Sequence, residues 1–138
     1  MSENKAMLVL AEDNPGDVFL VRRALDSERI AYDLTVAKDG EEAINLVAEA
    51  EKGGRKIDLL MVDLDLPKRD GAEVLMRLRQ NKELTSVPVI LLTSSDSPHD
   101  RKRCLELGAN QFFRKPSDLH RYMEIGKIVR DLLERSAQ

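Results

Sequence analysis

Short apolar runs alternate with longer amphipathic stretches along the chain, and this alternation restricts the fold more than any other feature of the sequence. Met7-Leu8-Val9-Leu10 and Val89-Ile90-Leu91-Leu92 are nearly continuous apolar runs, as expected of strands covered by helices on both faces rather than strands with one wet face. The strands are predicted at Ala6 to Ala11, Asp33 to Ala37, Asp58 to Val62, Val87 to Thr93 and Gln111 to Arg114. Between and after them apolar residues recur at helical spacing, as Val18, Val21 and Leu25 do, and again Val74, Leu75 and Leu78. Strand and helix in strict alternation predict the α/β class, with a parallel sheet wound on both faces.

Local start and stop signals agree with that reading. Asn14-Pro15-Gly16-Asp17 puts a capping side chain before a proline at the first helical position, and Ser97-Pro98-His99-Asp100 repeats the pattern. Ser117 is expected to cap the last helix, and Gly108 to end the fourth. Pro88, near the start of its strand, sits where a missing ladder donor is tolerated. Gly53-Gly54 mark a loop.

The chain's 138 residues match the size of one compact domain, so 1–138 is expected to be a single domain with no output domain attached. The balance of 25 acidic against 22 basic residues, net charge -3, supplies no basic field that would recommend nucleic acid as a partner. The lone Cys104 rules out an internal disulfide and is expected to be a buried structural thiol. The opening Met1-Ser2-Glu3-Asn4-Lys5 is polar and the apolar run after it breaks at Glu12, so neither a signal peptide nor a membrane span is expected, and the compartment is expected to be the cytoplasm.

In an open parallel sheet, ligands gather beyond the carboxyl ends of the strands, where the strand order reverses. Glu12-Asp13 follow the first strand, and Asp63-Leu64-Asp65 follow the third, so four acids converge on one end of the sheet. Carboxylates crowded into a partly desolvated site repel one another unless a cation relieves them, and all-oxygen ligation suits Mg²⁺. Thr93-Ser94-Ser95 and Arg114-Lys115-Pro116, at the ends of the fourth and fifth strands, add hydroxyl donors and an ammonium, which are groups suited to phosphoryl oxygens. With metal and fixed cation offsetting charge, an Asp nucleophile can form an acyl phosphate. Taken singly, Asp17 and Asp70 are expected to cap helices or face solvent.

These residues, in this order and at these element positions, make the chain resemble the receiver domain of two-component response regulators over essentially its whole length. The resemblance implies a five-stranded, flavodoxin-like (βα)5 sheet of order 2-1-3-4-5. It implies that Asp63 takes a phosphoryl group from a phosphohistidine on a sensor histidine kinase. Asp13 and Asp63 would hold Mg²⁺ by their side chains, Asp65 by its backbone carbonyl and Glu12 through water. Lys115 would pair with Asp63 before transfer and with the phosphoryl oxygens after it; Thr93, assisted by the Ser94 backbone, would hydrogen-bond the new phosphate. Phe112 stands at the switch aromatic, and Pro116 would follow a cis peptide bond.

Two departures stand out. Asp65 adds a negative charge where a neutral residue such as Asn is frequent, and is expected to alter the lifetime of the acyl phosphate. Phe112 lacks the hydroxyl of the common Tyr, so its switching can rest only on burial of the ring. The string Glu-Asp-Asn-Pro-Gly-Asp at 12–17 and the loop at Gly53-Gly54 are similar to stand-alone receivers that serve bacterial phytochromes, which points to a bacteriophytochrome as the sensor histidine kinase, although other histidine kinases use similar regulators. Leu119, Tyr122, Met123, Ile125, Ile128, Val129, Leu132 and Leu133 form a stripe wider than one sheet-facing side needs, read either as core or as a homodimer face on the fifth helix. Asp63-Leu64-Asp65 alone also resembles the nucleophile motif of haloacid-dehalogenase-type phosphatases, but in those the motif is on the first strand and an acid pair trails it. A flavodoxin-like cofactor binder fits four acids poorly, and a receiver reduced to an interaction module would lack the acceptor, metal acids or lysine retained here.

Overall fold

The structure, a computed structural model, describes residues 5–54, 56–95 and 97–136; the polar opening at Met1 to Asn4 lies outside them. Its strands are β1 (Ala6–Ala11), β2 (Tyr32–Ala37), β3 (Leu59–Asp63), β4 (Val89–Thr93) and β5 (Gln111–Arg114). They form one five-stranded sheet in the order β2-β1-β3-β4-β5, with every pairing parallel. The helices are α1 (Pro15–Ser27), α2 (Gly40–Glu51), α3 (Gly71–Arg79), α4 (Pro98–Glu106), α5 (Leu119–Tyr122) and α6 (Glu124–Ser136).

The two-residue period of the strands divides the core into two layers. Val9, Ala11, Leu60, Val62, Val89, Leu91 and Phe112 face α2, α3 and α4, where they pack with Val47, Leu75 and Cys104. Leu8, Leu10, Leu59, Met61, Ile90, Leu92 and Phe113 face α1, α5 and α6. β3 and β4 are buried at every residue, which accounts for their unbroken apolar character. No helix among the described residues is long and apolar enough to cross a membrane.

Most element boundaries match the sequence reading, and the exceptions have local causes. β4 begins at Val89 rather than Val87 because Pro88 offers only its carbonyl, which accepts from Leu60 N at 3.0 Å, while Val87 N turns back to Leu84 O at 3.2 Å. The cap of the last helical region is Asp118, whose side chain accepts from His120 N at 2.8 Å, in place of the expected Ser117. That region is also two segments, separated at Met123. Its wide apolar stripe is mostly core: Tyr122, Ile125, Val129 and Leu132 are buried, Met123, Ile128 and Leu133 pack against them, and Leu119 is exposed.

Two features fix the loops around the strand ends. A Cβ on Gly71 would stand 2.5 Å from the carbonyl oxygen of Asp63, so only glycine lets α3 start against the end of β3. Arg79, at the end of α3, donates to the carbonyls of Gly108 at 2.7 Å, Val87 at 2.8 Å and Thr85 at 3.1 Å and to Asn110 Oδ1 at 3.0 Å. Its guanidinium thus ties the approach to β4 and the turn before β5 onto α3. Replacing it strips charge-assisted donors from several acceptors at once, so Arg79→Met is expected to lower the unfolding free energy by about 2 kcal/mol, read from urea denaturation with an unchanged m-value.

Candidate functional site

Register brings the predicted site residues together. Ala11 pairs with Val62 across β1 and β3, so Glu12 and Asp63 emerge side by side at the point where the strand order reverses. Thr93 pairs with Arg114 across β4 and β5, which puts Lys115 next past the end of the ladder. Lys115 N continues the pairing by donating to Thr93 O at 2.7 Å.

The Lys115 ammonium is the centre of the cluster. Its Nζ lies 2.6 Å from Glu12 Oε1, 2.7 Å from Asp63 Oδ2 and 3.0 Å from Asp17 Oδ2. Glu12, Asp63 and Thr93 are the three buried polar or charged side chains among the described residues. Asp63 Oδ1 accepts from Asp65 N at 2.8 Å, and Thr93 Oγ1 accepts from Ser95 N at 3.0 Å. Asp13, Asp65 and Ser94 are exposed at the rim. Phe112 is buried against α4, with the Arg101 guanidinium 5.1 Å from its ring centre.

Glu12, Asp13 and Asp63 can each aim a carboxylate oxygen so that the three atoms lie within 4.8 Å of one another. Glu12 Oε1 has no well-aligned hydrogen bond, its short approach to Lys115 being an ion pair only. A buried, under-coordinated oxygen beside two more carboxylates fits a hard divalent cation.

Electrostatics follow from burial. Glu12 is raised from 4.5 to about 7, chiefly because burial penalises its charge, with Asp63 adding repulsion and Lys115 opposing. Burial works against the Lys115 charge as well, but its hydrogen bond to Asp63, its ion pair with Glu12 and its hydrogen bond to Asp17 outweigh it and hold the ammonium well above the ordinary lysine range.

Two expectations are corrected here. No peptide bond among the described residues is cis, so the bond before Pro116 is trans; Lys115 is aimed by its ladder hydrogen bond and its three carboxylates. Asp17 neither caps a helix nor faces open solvent. Asn14 caps α1, accepting from Gly16 N and Asp17 N, and the first turn then leans over the strand ends, so that Asp17 reaches Lys115, 98 residues away in sequence. Asp17 Oδ1 also accepts from the Tyr122 hydroxyl at 3.0 Å. The only sequence signal was the position of Asp17 in the string that carries Glu12 and Asp13. Asp70, by contrast, does cap α3, accepting from Glu73 N at 3.0 Å.

Comparison with known proteins agrees with this fold. The family model for the response regulator receiver domain matches residues 8–126. The chain is 40% identical over 133 residues to the alkaline phosphatase synthesis regulator PhoP of Bacillus subtilis, of which it covers 50%; it therefore spans about half the length of that relative. It is 34% identical over 116 residues to the response regulator Rcp1 of Synechocystis, covering 82% of this chain and 78% of the relative. The Mn²⁺-bound structure of Rcp1 superimposes with a TM-score of 0.81 over 91% of this chain and 92% of that one, at 29% identity. The phosphorylated cyanobacterial phytochrome response regulator RcpA gives 0.85 over 97% of each chain, at 27% identity.

The raised Glu12 has a pH signature. The folded state binds its proton more tightly than the unfolded chain does, so this contribution to stability is whole below about 4.5 and is lost as pH rises through about 7. Metal-free protein is expected to lose about 1 kcal/mol per pH unit across that window, and Glu12→Gln to flatten the loss, measured by denaturant melts at several pH values.

Proposed function

The chain belongs to the response regulator receiver domain family, and on that premise we propose that Asp63 is the phosphoacceptor, fed by the phosphohistidine of a sensor histidine kinase. The observation that carries the assignment is the short contact of Lys115 Nζ with Asp63 Oδ2, 2.7 Å, in a buried acid cluster at the switch point of the sheet. A nucleophilic carboxylate with a fixed ammonium against it is what phosphoryl transfer requires of a protein, since positioning and charge stabilisation supply most of the catalysis.

Asp13 and Asp63 would hold Mg²⁺ through their side chains, with the Asp65 carbonyl and a water on Glu12 completing the protein's share. When bound, the cation offsets the charge on the transferring group. The solved Mn²⁺ form of Rcp1 supports the metal, and phosphorylated RcpA supports the acceptor chemistry. An Asp63 carboxylate oxygen forms the new bond to phosphorus while the bond from phosphorus to the donor imidazole nitrogen breaks, its electron pair returning to the ring. Lys115 then follows the charge onto the phosphoryl oxygens. The Thr93 hydroxyl, which accepts from Ser95 N at rest, turns to donate to the phosphate, and the Ser94 backbone assists. Phe112, already buried, follows the rearrangement of β4 and α4.

The protein acts as a cytoplasmic signalling domain whose only chemistry is on itself, and a bacteriophytochrome is the kinase proposed for it. Support for that partner is the likeness to Rcp1 and to RcpA, the latter a phytochrome response regulator. Association of two copies through the last helical region belongs to the same proposal, and light scattering with and without a phosphate mimic reads it.

A small phosphodonor with Mg²⁺ is expected to add one phosphoryl group by intact-protein mass, and Asp63→Asn to gain none; equal gain in both would overturn the assignment. The exposed Asp65 carboxylate, two residues past the acceptor, is proposed as the group that takes a proton from water attacking the phosphate. Asp65→Asn is therefore expected to prolong the acyl phosphate by about ten-fold, less than a well-placed general base would supply, followed by decay of the phosphorylated mass.

A further inference from the structure

Asp17 divides its carboxylate between two partners. Oδ2 meets the Lys115 ammonium at 3.0 Å, and Oδ1 accepts the Tyr122 hydroxyl at 3.0 Å. Its side chain is 20% exposed, so water does not fully solvate its charge. Tyr122 is 1% exposed and meets the Phe113 ring edge-on, with centroids 5.7 Å apart. Phe113 is two residues before Lys115 and faces the α1, α5 and α6 layer, whereas Phe112 faces the opposite one.

We propose that Asp17 is a positioning residue that anchors Lys115 at rest and, when Lys115 is drawn onto the phosphoryl group, transfers the change to the Tyr122 hydroxyl. The proposal rests on the assignment of Asp63 as acceptor and Lys115 as its moving cation. Before transfer, the ammonium serves Glu12, Asp63 and Asp17 together. A phosphoryl group on Asp63 brings new negative charge to the ammonium, and contact with Asp17, the longest of the three at 3.0 Å, is the one that is given up. A half-buried carboxylate that loses its cation depends on its remaining donor, and that donor is Tyr122. The Asp17 to Tyr122 hydrogen bond therefore strengthens in the phosphorylated state.

Tyr122 closes α5, and α6 begins two residues later, at Glu124. A Cβ on Gly126 would stand 2.3 Å from the carbonyl oxygen of Ala24, so α6 rests backbone to backbone on α1. A tightened pull on Tyr122 is thus felt where α1, α5 and α6 meet. The phosphorylation signal would leave by this face of the sheet as well as by the Phe112 face.

Linkage makes the proposal measurable, because a bond that strengthens on phosphorylation must favour the phosphorylated state by the same factor. Beryllium fluoride with Mg²⁺, an unreactive stand-in for the acyl phosphate, is titrated against the full chain, and the bound fraction is read by fluorine NMR. Tyr122→Phe keeps the ring and its packing on Phe113 and is expected to weaken binding by about five-fold. In an Asp17→Asn background the same substitution is expected to change affinity by less than about two-fold, since a neutral amide is not stranded when the ammonium leaves. An equal loss from Tyr122→Phe in both backgrounds, or none in either, overturns the relay. If the parent binds no beryllium fluoride, or Asp63→Asn binds it equally well, the relay falls together with the acceptor assignment, and those two titrations alone identify that cause.

Discussion

A single ammonium set among three carboxylates governs how this site can exist at all. Glu12 and Asp63 are nearly sealed from water, and neighbouring buried carboxylates cannot both stay charged without a cation close by. Lys115 supplies that cation, at ion-pair distance from both and from Asp17. Burial weakens solvent screening, so each of these contacts is stronger than a surface ion pair and correspondingly harder to lose. The cluster is stable only while its charges are matched, which is the property a phosphorylation switch needs: a new dianionic group on one member obliges the rest to redistribute.

Much of the fold can be understood as the means of delivering Lys115 to that position. Its backbone N–H extends the pairing of β5 with β4 by one bond. The turn before β5 is tied to α3 through Arg79, whose guanidinium gathers carbonyls from two separate loops. Gly71 lets α3 begin directly against the carbonyl of Asp63. Each device holds a strand end, and the strand ends carry the chemistry, so the rigid core and the reactive rim are two parts of one arrangement.

The acids at the rim divide by burial into two kinds. Glu12 and Asp63 are held, one raised toward neutrality and the other paired to Lys115. Asp13 and Asp65 face water, where a cation from solution can reach them. A site half sealed and half open in this way can exchange ligands without exposing its buried acids.

Strand positions, the two-layer core and the convergence of Glu12, Asp13, Asp63, Asp65, Thr93, Ser94 and Lys115 were all legible in the sequence. Burial on both faces writes itself as continuous apolar runs, and a parallel sheet places every following loop at the same end. Strand order was implied by resemblance, not by any residue pattern, because pairing between distant strands leaves no local mark. The same limit hid Asp17 and Tyr122: one reads as an ordinary first-turn acid and the other as part of an apolar helical stripe. Only the lean of α1 over the strand ends, together with the packing of Tyr122 against Phe113, brings the two to hydrogen-bond distance. Sequence thus determined which groups the site contains, through local chemistry and periodicity. Tertiary structure decided which of them share the lysine, because that depends on how helices settle across a sheet and on how far each carboxylate is taken from water.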